Sequence, residues 1–304
     1  MRRALLVGLV LLAFGARGQG IDMSHGGPVE ITARDGMEWR QAQQMVVARG
    51  DARAVRGEVT VTADELIAYY RKKAGGAAAT PAAAAPASPV DTGSNEIYRL
   101  EAVGHVNIYT PTDHAVADRA VYDIDQAVLV LTGHDLKITT PQDVMTARDS
   151  MEYWSQKHMG VGRGEATVTT SDGRRLYADT LVAYTLEGPA PGATQAAASK
   201  PGDPAMSAGK LKEVEAFGNV EVRTATETVH GDRAVYVPAT EIARVVGNVR
   251  VTRGQNQLNG DEALVNMRTG VSTISRAPGG RVEGLVVPND PAARAAPPTP
   301  AKHP

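Results

Sequence analysis

The sequence predicts an all-β fold of about 14–16 antiparallel strands, assembled from hairpin repeats of about 30 residues. Three observations carry that expectation. Apolar and polar residues alternate with a period of two, as in "GNVEVR" from Gly218 and "GNVRVT" from Gly247. One outline, a glycine followed by alternating residues and then an aspartate, returns six times: at Gly50, Gly104, Gly133, Gly164, Gly218 and Gly247, closed by Asp64, Asp118, Asp149, Asp179, Asp232 and Asp261. No convincing amphipathic helix interrupts the pattern, and "ADELIAYYRKK" from Ala63 sits where the other copies have strand.

Taken in order, the chain opens with Met1-Arg2-Arg3, an apolar run from Ala4 to Phe14, and the small residues Gly15, Ala16 and Gly18. That is the pattern of a secretory signal peptide over residues 1–18, cleaved after Gly15 or Gly18. The run is about half the ~20 residues a spanning helix needs, which makes a retained anchor the alternative. The leader implies an extracytoplasmic protein, and the absence of cysteine implies one without disulfides. "ITARDGMEW" from Ile31 then resembles "MTARDSMEY" from Met145, so the repeats begin before Gly50.

The first three glycines map onto the last three by a constant shift of 114 residues, a duplicated triplet. Its longer gaps hold Ala/Pro/Gly/Ser-rich stretches at 74–94 and 187–210, and a similar tail covers 288–304. Such segments bury too little apolar surface to offset their ordering entropy and read as loops. The structured unit expected is 28–287. Turns of a few residues demand antiparallel neighbours, and the first and last strands leave edges unpaired.

Within the repeats the alternation puts Val106 and Ile108, Leu136 and Ile138, Val168, Val220 and Val222, and Val249 and Val251 on one face. The second segments do the same with Ala120 and Tyr122, or Ala234 and Tyr236. Only 4% of the chain is aromatic, so this interior is lined by small and aliphatic side chains. By themselves such stripes read first as an ordinary packed core.

The rest of the composition excludes function classes. A net charge of −2 gives no footprint for nucleic acid. One aspartate per repeat is too sparse for a calcium β-roll and reads as a turn cap before each second strand. His105 and His134 occupy a position held elsewhere by Asp51, Glu165, Asn219 and Asn248, which is a polar turn site. No nucleophile elbow, P-loop or dinucleotide fingerprint occurs. Neither an enzyme, a metal site nor a cofactor is expected.

The pattern G-[NH]-V-x-[VI], followed about fourteen residues later by [AG]-D-x-A-x-Y, is best matched from Gly104 to Tyr122 and from Gly218 to Tyr236. It resembles the OstA-like family, the domain of LptA, LptC and the N-terminal part of LptD. The resemblance implies an elongated, V-shaped, open β-jelly roll whose apolar groove carries the acyl chains of lipopolysaccharide through the periplasm. On that basis Val106, Ile108, Leu136, Ile138, Val168, Val220, Val222, Val249 and Val251 are the candidate groove residues. The implied partners are lipopolysaccharide, LptC-like and LptD-like jelly-roll domains joined by edge-strand pairing, and head-to-tail copies of the chain. The cleavable leader favours an LptA-like carrier over an anchored LptC-like subunit. A β-solenoid surface or polysaccharide-acting protein is the reading from another class.

Overall fold

The computed structural model describes residues 29–72, 95–141, 143–186, 211–266, 269, 271–276, 280–285 and 287. The leader, the inserts 74–94 and 187–210 and the tail lie outside the described residues. Apart from two single 3-10 turns, Gln41–Gln43 and Ser155–Lys157, the regular structure described is strand. The first half runs β1 (Glu30–Thr32), β2 (Gly36–Arg40), β3 (Met45–Arg56), β4 (Val59–Lys72), β5 (Asn95–Tyr109), β6 (His114–Asp123), β7 (Val128–Thr132) and β8 (Leu136–Thr139). The second runs β9 (Asp143–Ala147), β10 (Ser150–Trp154), β11 (Met159–Thr170), β12 (Arg175–Thr185), β13 (Leu211–Arg223), β14 (Thr228–Val237) and β15 (Ile242–Arg253). After it come β16 (Asn256–Asn266), β17 (Val271–Ser275) and β18 (Glu283–Leu285).

Pairing is antiparallel throughout and follows chain order, so the molecule is one long meander. Several strands are halves of one ribbon. β1 and β2 lie end to end along β3, β7 and β8 along β6, β9 and β10 along β11, and β17 and β18 along β16. The eighteen described strands therefore make fourteen ribbons, and "ADELIAYYRK", Ala63 to Lys72, is strand inside β4.

The breaks and irregularities of these ribbons form one row across the sheet. Register shifts fall between Arg49 and Ala52, Val103 and Val106, Arg163 and Ala166, Phe217 and Val220, and Val246 and Val249. The repeat glycines sit at these bulges, in mid-ribbon. At Gly104 and Gly218 the backbone has φ +77° and +74°, a region other residues enter at a cost. A Cβ on Gly104 would overlap the Asp64 carboxylate of the preceding ribbon, and one on Gly218 would overlap Asp179. The residue after the glycine also has positive φ, 46° at His105, 47° at Asn219 and 49° at Asn248, which is why polar side chains recur there.

This corrects the role expected for the aspartates. At four of the six sites they brace neighbouring ribbons instead of capping turns. Asp64 and Asp118 contact His105 Nδ1 and His134 Nδ1 at 2.8 Å, and Asp179 and Asp232 accept from Asn219 Nδ2 at 2.9 Å and Asn248 Nδ2 at 2.8 Å. The backbone N–H and imidazole of His134 hold the Asp118 carboxyl below its ordinary pKa, and the Asp64 hydrogen bond raises that of His105. All are exposed, so the row is an outer crease about which the sheet bends.

Inside the bend, residues from both sides of the crease converge on one apolar cluster. Ala48, Leu66 and Ala102 come from one side of the crease, and Ala54, Val61 and Ile108 from the other. On the outer face, cross-strand ion pairs repeat with the duplication: Glu38 with Arg49 at 2.8 Å and Glu152 with Arg163 at 3.0 Å, then Glu101 with Arg119 at 2.7 Å and Glu215 with Arg233 at 3.4 Å. Burial differs within the second set, the side chain of Glu101 being 7% exposed and that of Glu215 21%. Arg119→Ala is expected to cost about 2 kcal/mol, because it leaves a buried carboxylate short of a partner. Arg233→Ala is expected to cost under about 1 kcal/mol. Urea unfolding of the two variants measures the difference, and equal costs would contradict it.

Candidate functional site

Among the described residues the interior holds an apolar pocket in each half of the chain. The first occupies about 570 Å³ and the second about 960 Å³, both including space open to solvent. They are copies of one another: eleven of the sixteen residues lining each have their counterpart in the other. Leu66 answers to Leu181, Ala68 to Ala183, Leu100 to Val214, Ala102 to Ala216, Ile108 to Val222, Ala120 to Ala234 and Tyr122 to Tyr236. Alanine recurs at the three positions where a larger residue would fill the space, and one tyrosine per half is the only aromatic wall. The duplication thus placed two hollows within one apolar interior.

Residues on both sides of the crease build each wall. In the first half, Ala54, Val61 and Ile108 face Leu66, Ala68, Leu100 and Ala102. The parity of the inward residues changes in the aspartate-bearing ribbons, where two consecutive residues face out: Ala117 is followed inward by Ala120, and Ala178 by Leu181. In the glycine-bearing ribbons the inward residues keep their numbering parity, Ala102 then Val106, Ala216 then Val220. A bend of this kind is what allows a single alternating strand to serve two facing layers.

The nine candidate groove residues all belong to the one interior cluster, Ile138, Val168 and Val222 being partly buried. Ile108 lines the first pocket, and Val168 and Val222 the second. Val106, Leu136, Val220 and Val249 are at most 1% exposed and Val251 is 6% exposed; together with Ile138 they lie outside both linings. Sequence reasoning missed the lining residues that precede the glycine, Leu100, Ala102, Val214 and Ala216. Their alternation and 114-residue spacing were a usable signal.

At its far end the interior is rimmed by turns in which a threonine hydroxyl accepts a backbone N–H. Thr110 takes that of Asp113 at 2.9 Å, Thr140 that of Asp143 at 3.0 Å, and Thr224 that of Glu227 at 3.1 Å. Burial raises the pKa of Asp113. Among the described residues no three His, Cys, Asp or Glu side chains could together hold a metal ion. None of the described helices is long and apolar enough to cross a membrane.

Both ends of the meander expose apolar side chains. β2 pairs only with β3 among the described strands and carries Met37, 59% exposed, and Trp39, 43% exposed. The Trp39 indole donates to Tyr70 Oη at 2.5 Å, which holds the ring upright at the edge. At the other end Leu264 on β16 and Leu285 on β18 are exposed.

A family model described as the LptA/(LptD N-terminal domain) LPS transport protein matches the chain twice, over residues 30–158 and 149–271. The first match covers the lining of the first pocket except Val29, and the second that of the other except Met145. Among solved structures, the chain is similar to the crystal structure of LptH, the LptA homologous periplasmic component of the conserved lipopolysaccharide transport device from Pseudomonas aeruginosa. That alignment covers 48% of this chain and 95% of LptH, at 16% identity and a TM-score of 0.36. No match is found among curated protein sequences.

Proposed function

The chain belongs to the LptA/LptD N-terminal domain family of lipopolysaccharide transport proteins, and on that premise we propose that it is a periplasmic carrier that holds lipopolysaccharide acyl chains between its two layers. Within the family it acts in lipopolysaccharide transport as a carrier and not as an enzyme. The finer role is a bridge that passes the lipid from an inner-membrane transporter towards an outer-membrane translocon. The observation that supports it most is the pair of alanine-lined hollows in an otherwise packed interior. Each acyl CH2 withdrawn from water recovers about 0.8 kcal/mol, so a chain of a dozen carbons needs a continuous apolar lining. Open edges at β2 and at β17–β18 suit strand addition by LptC-like and LptD-like domains or by further copies of the chain. The Met1–Gly18 leader is the basis for a periplasmic location.

The test is a photocrosslinking amino acid at Val222, which lines the second pocket, with Glu221 on the opposite face as control, in Gram-negative envelopes. Mass spectrometry should find lipopolysaccharide joined to the Val222 variant and not to the Glu221 variant. The reverse pattern would sink the carrier reading.

A further inference from the structure

The crease divides the outer face of the sheet into two strips that handle charge differently. On one strip each arginine of the cross-strand pairs has its glutamate, as at Arg49, Arg119, Arg163, Arg233 and Arg244. The other strip lies between the crease and the threonine turns. Register carries one outward position of it across the sheet from Arg53 on β3 to Asn259 on β16, and in the second half that row reads Thr167, Tyr177, Glu221, His230 and Arg250. The next outward row runs from Val55 to Gln257. Threonine is the commonest residue of the two rows, and between β3 and β16 Glu221 is their only acid.

Glu221 is taken by Arg223 at 2.7 Å. Arg53, Lys137, Arg175 and Arg250 are exposed and have no acid partner among the described residues. Lys137, Arg175 and Arg250 stand three ribbons apart, about 14 Å at the usual spacing of strands. Arg175 also faces Arg223 in register, and like charges facing each other across strands are destabilising by themselves. Beside the crease the strip is concave in the second half, where Tyr177, Glu221, His230, Asp232, Asn248 and Arg250 border a polar depression of about 800 Å³, including space open to solvent. The first half has Thr62, Asn107, Val116 and Lys137 in the places of Tyr177, Glu221, His230 and Arg250.

This chemistry suits a ligand that offers negative charges at intervals along a line and hydroxyl groups between them. Threonine, asparagine and tyrosine side chains both donate and accept hydrogen bonds, and tyrosine adds an apolar face for a sugar ring. The two rows are only about 7 Å apart along each strand. Their margin is acidic, with Asp118, Asp179 and Asp232 at the crease. A bilayer surface would cover strip and crease together and meet that repulsion, whereas a single polymer strand fits within the strip.

We propose that this strip is a docking surface for a linear acidic polysaccharide without a lipid tail, its acid groups meeting Lys137, Arg175 and Arg250 and one sugar ring seated in the depression beside Tyr177. The strip is on the opposite side of the sheet from the hollows, so the inference stands apart from the carrier reading.

The experiment is calorimetric titration of the full chain with polygalacturonate, an unlipidated polymer of acidic sugars. Dextran supplies sugar without charge, polyglutamate charge without sugar, and phosphatidylglycerol vesicles an anionic bilayer. Polygalacturonate should bind, and should weaken as salt is raised. Lys137→Thr and Arg250→Thr should each weaken it about fivefold, the loss of one exposed ion pair. Arg244→Thr removes the same charge from the other strip and should leave the affinity unchanged. Tyr177→Thr should weaken polygalacturonate without altering the response to polyglutamate, and circular dichroism checks that each variant is folded. Equal losses in Arg244→Thr and Arg250→Thr, binding of dextran, polyglutamate or the vesicles as tight as that of polygalacturonate, or no binding of polygalacturonate to the folded chain overturns the inference. Each of these outcomes leaves the carrier reading standing.

Discussion

Gly218→Ala is expected to lower stability by about 3 kcal/mol, a large effect for the addition of one methyl group. Two causes add. The backbone at Gly218 has φ +74°, where a residue with a Cβ is strained by roughly 1–3 kcal/mol. The new Cβ would also overlap the Asp179 carboxylate on the preceding ribbon, in a sheet whose two layers leave it little freedom to move. The second cause is separable. Asp179→Ala alone should cost about 1 kcal/mol, since it removes an exposed brace to Asn219. In the double variant the overlap is gone, so the total should fall about 1–2 kcal/mol short of the sum. Urea denaturation of the four proteins measures this, and the same cycle at Gly104 and Asp64 repeats it in the other half. Strict additivity at both sites would mean that the crease is not held by these contacts.

Val220→Asp should be the most damaging substitution on β13, with a loss above about 4 kcal/mol. Val220 is 1% exposed and directly opposite Gly231, so a carboxylate there would have neither water nor a partner. Against a total stability of roughly 5–15 kcal/mol the variant should unfold without a cooperative transition or fail to accumulate. Glu221→Val, one residue away on the outer face, should cost under about 1 kcal/mol. A finer contrast tests the hollow itself. Val220→Ala opens a cavity in packed interior and should cost about 2 kcal/mol, whereas Val222 already borders empty space and Val222→Ala should cost about half as much. Equal costs at Val220 and Val222 would indicate a filled interior and count against a lipid pathway.

The OstA-like resemblance was legible because the pattern from Gly104 to Tyr122 is repeated from Gly218 to Tyr236, and the matching family model covers both. The alternation also placed Ile108, Val168 and Val222, which line the pockets. It could not separate them from Val106 or Val249, which lie outside both linings, because inward parity is the same for a residue against a neighbour and one against a void. Nor could it give the purpose of Asp64 or Asp179. Their partners His105 and Asn219 lie 41 and 40 residues away, at a spacing no local turn rule considers.

By itself, then, the sequence determined the strands, their antiparallel order and the doubling of the unit. These follow from short-range rules: alternation with a period of two, turns too short for any crossover, and a repeat of 114 residues. The tertiary structure alone decided that β3, β5, β11, β13 and β15 bulge at a glycine in mid-length while the aspartate-bearing ribbons beside them change inward parity, which sets Leu66 and Leu100 across from Val61 and Ile108 and leaves a hollow between them. The reason is that a bend depends on what the neighbouring ribbon places against it, and an empty space depends on side-chain volumes summed over several ribbons. Neither quantity belongs to any one stretch of chain.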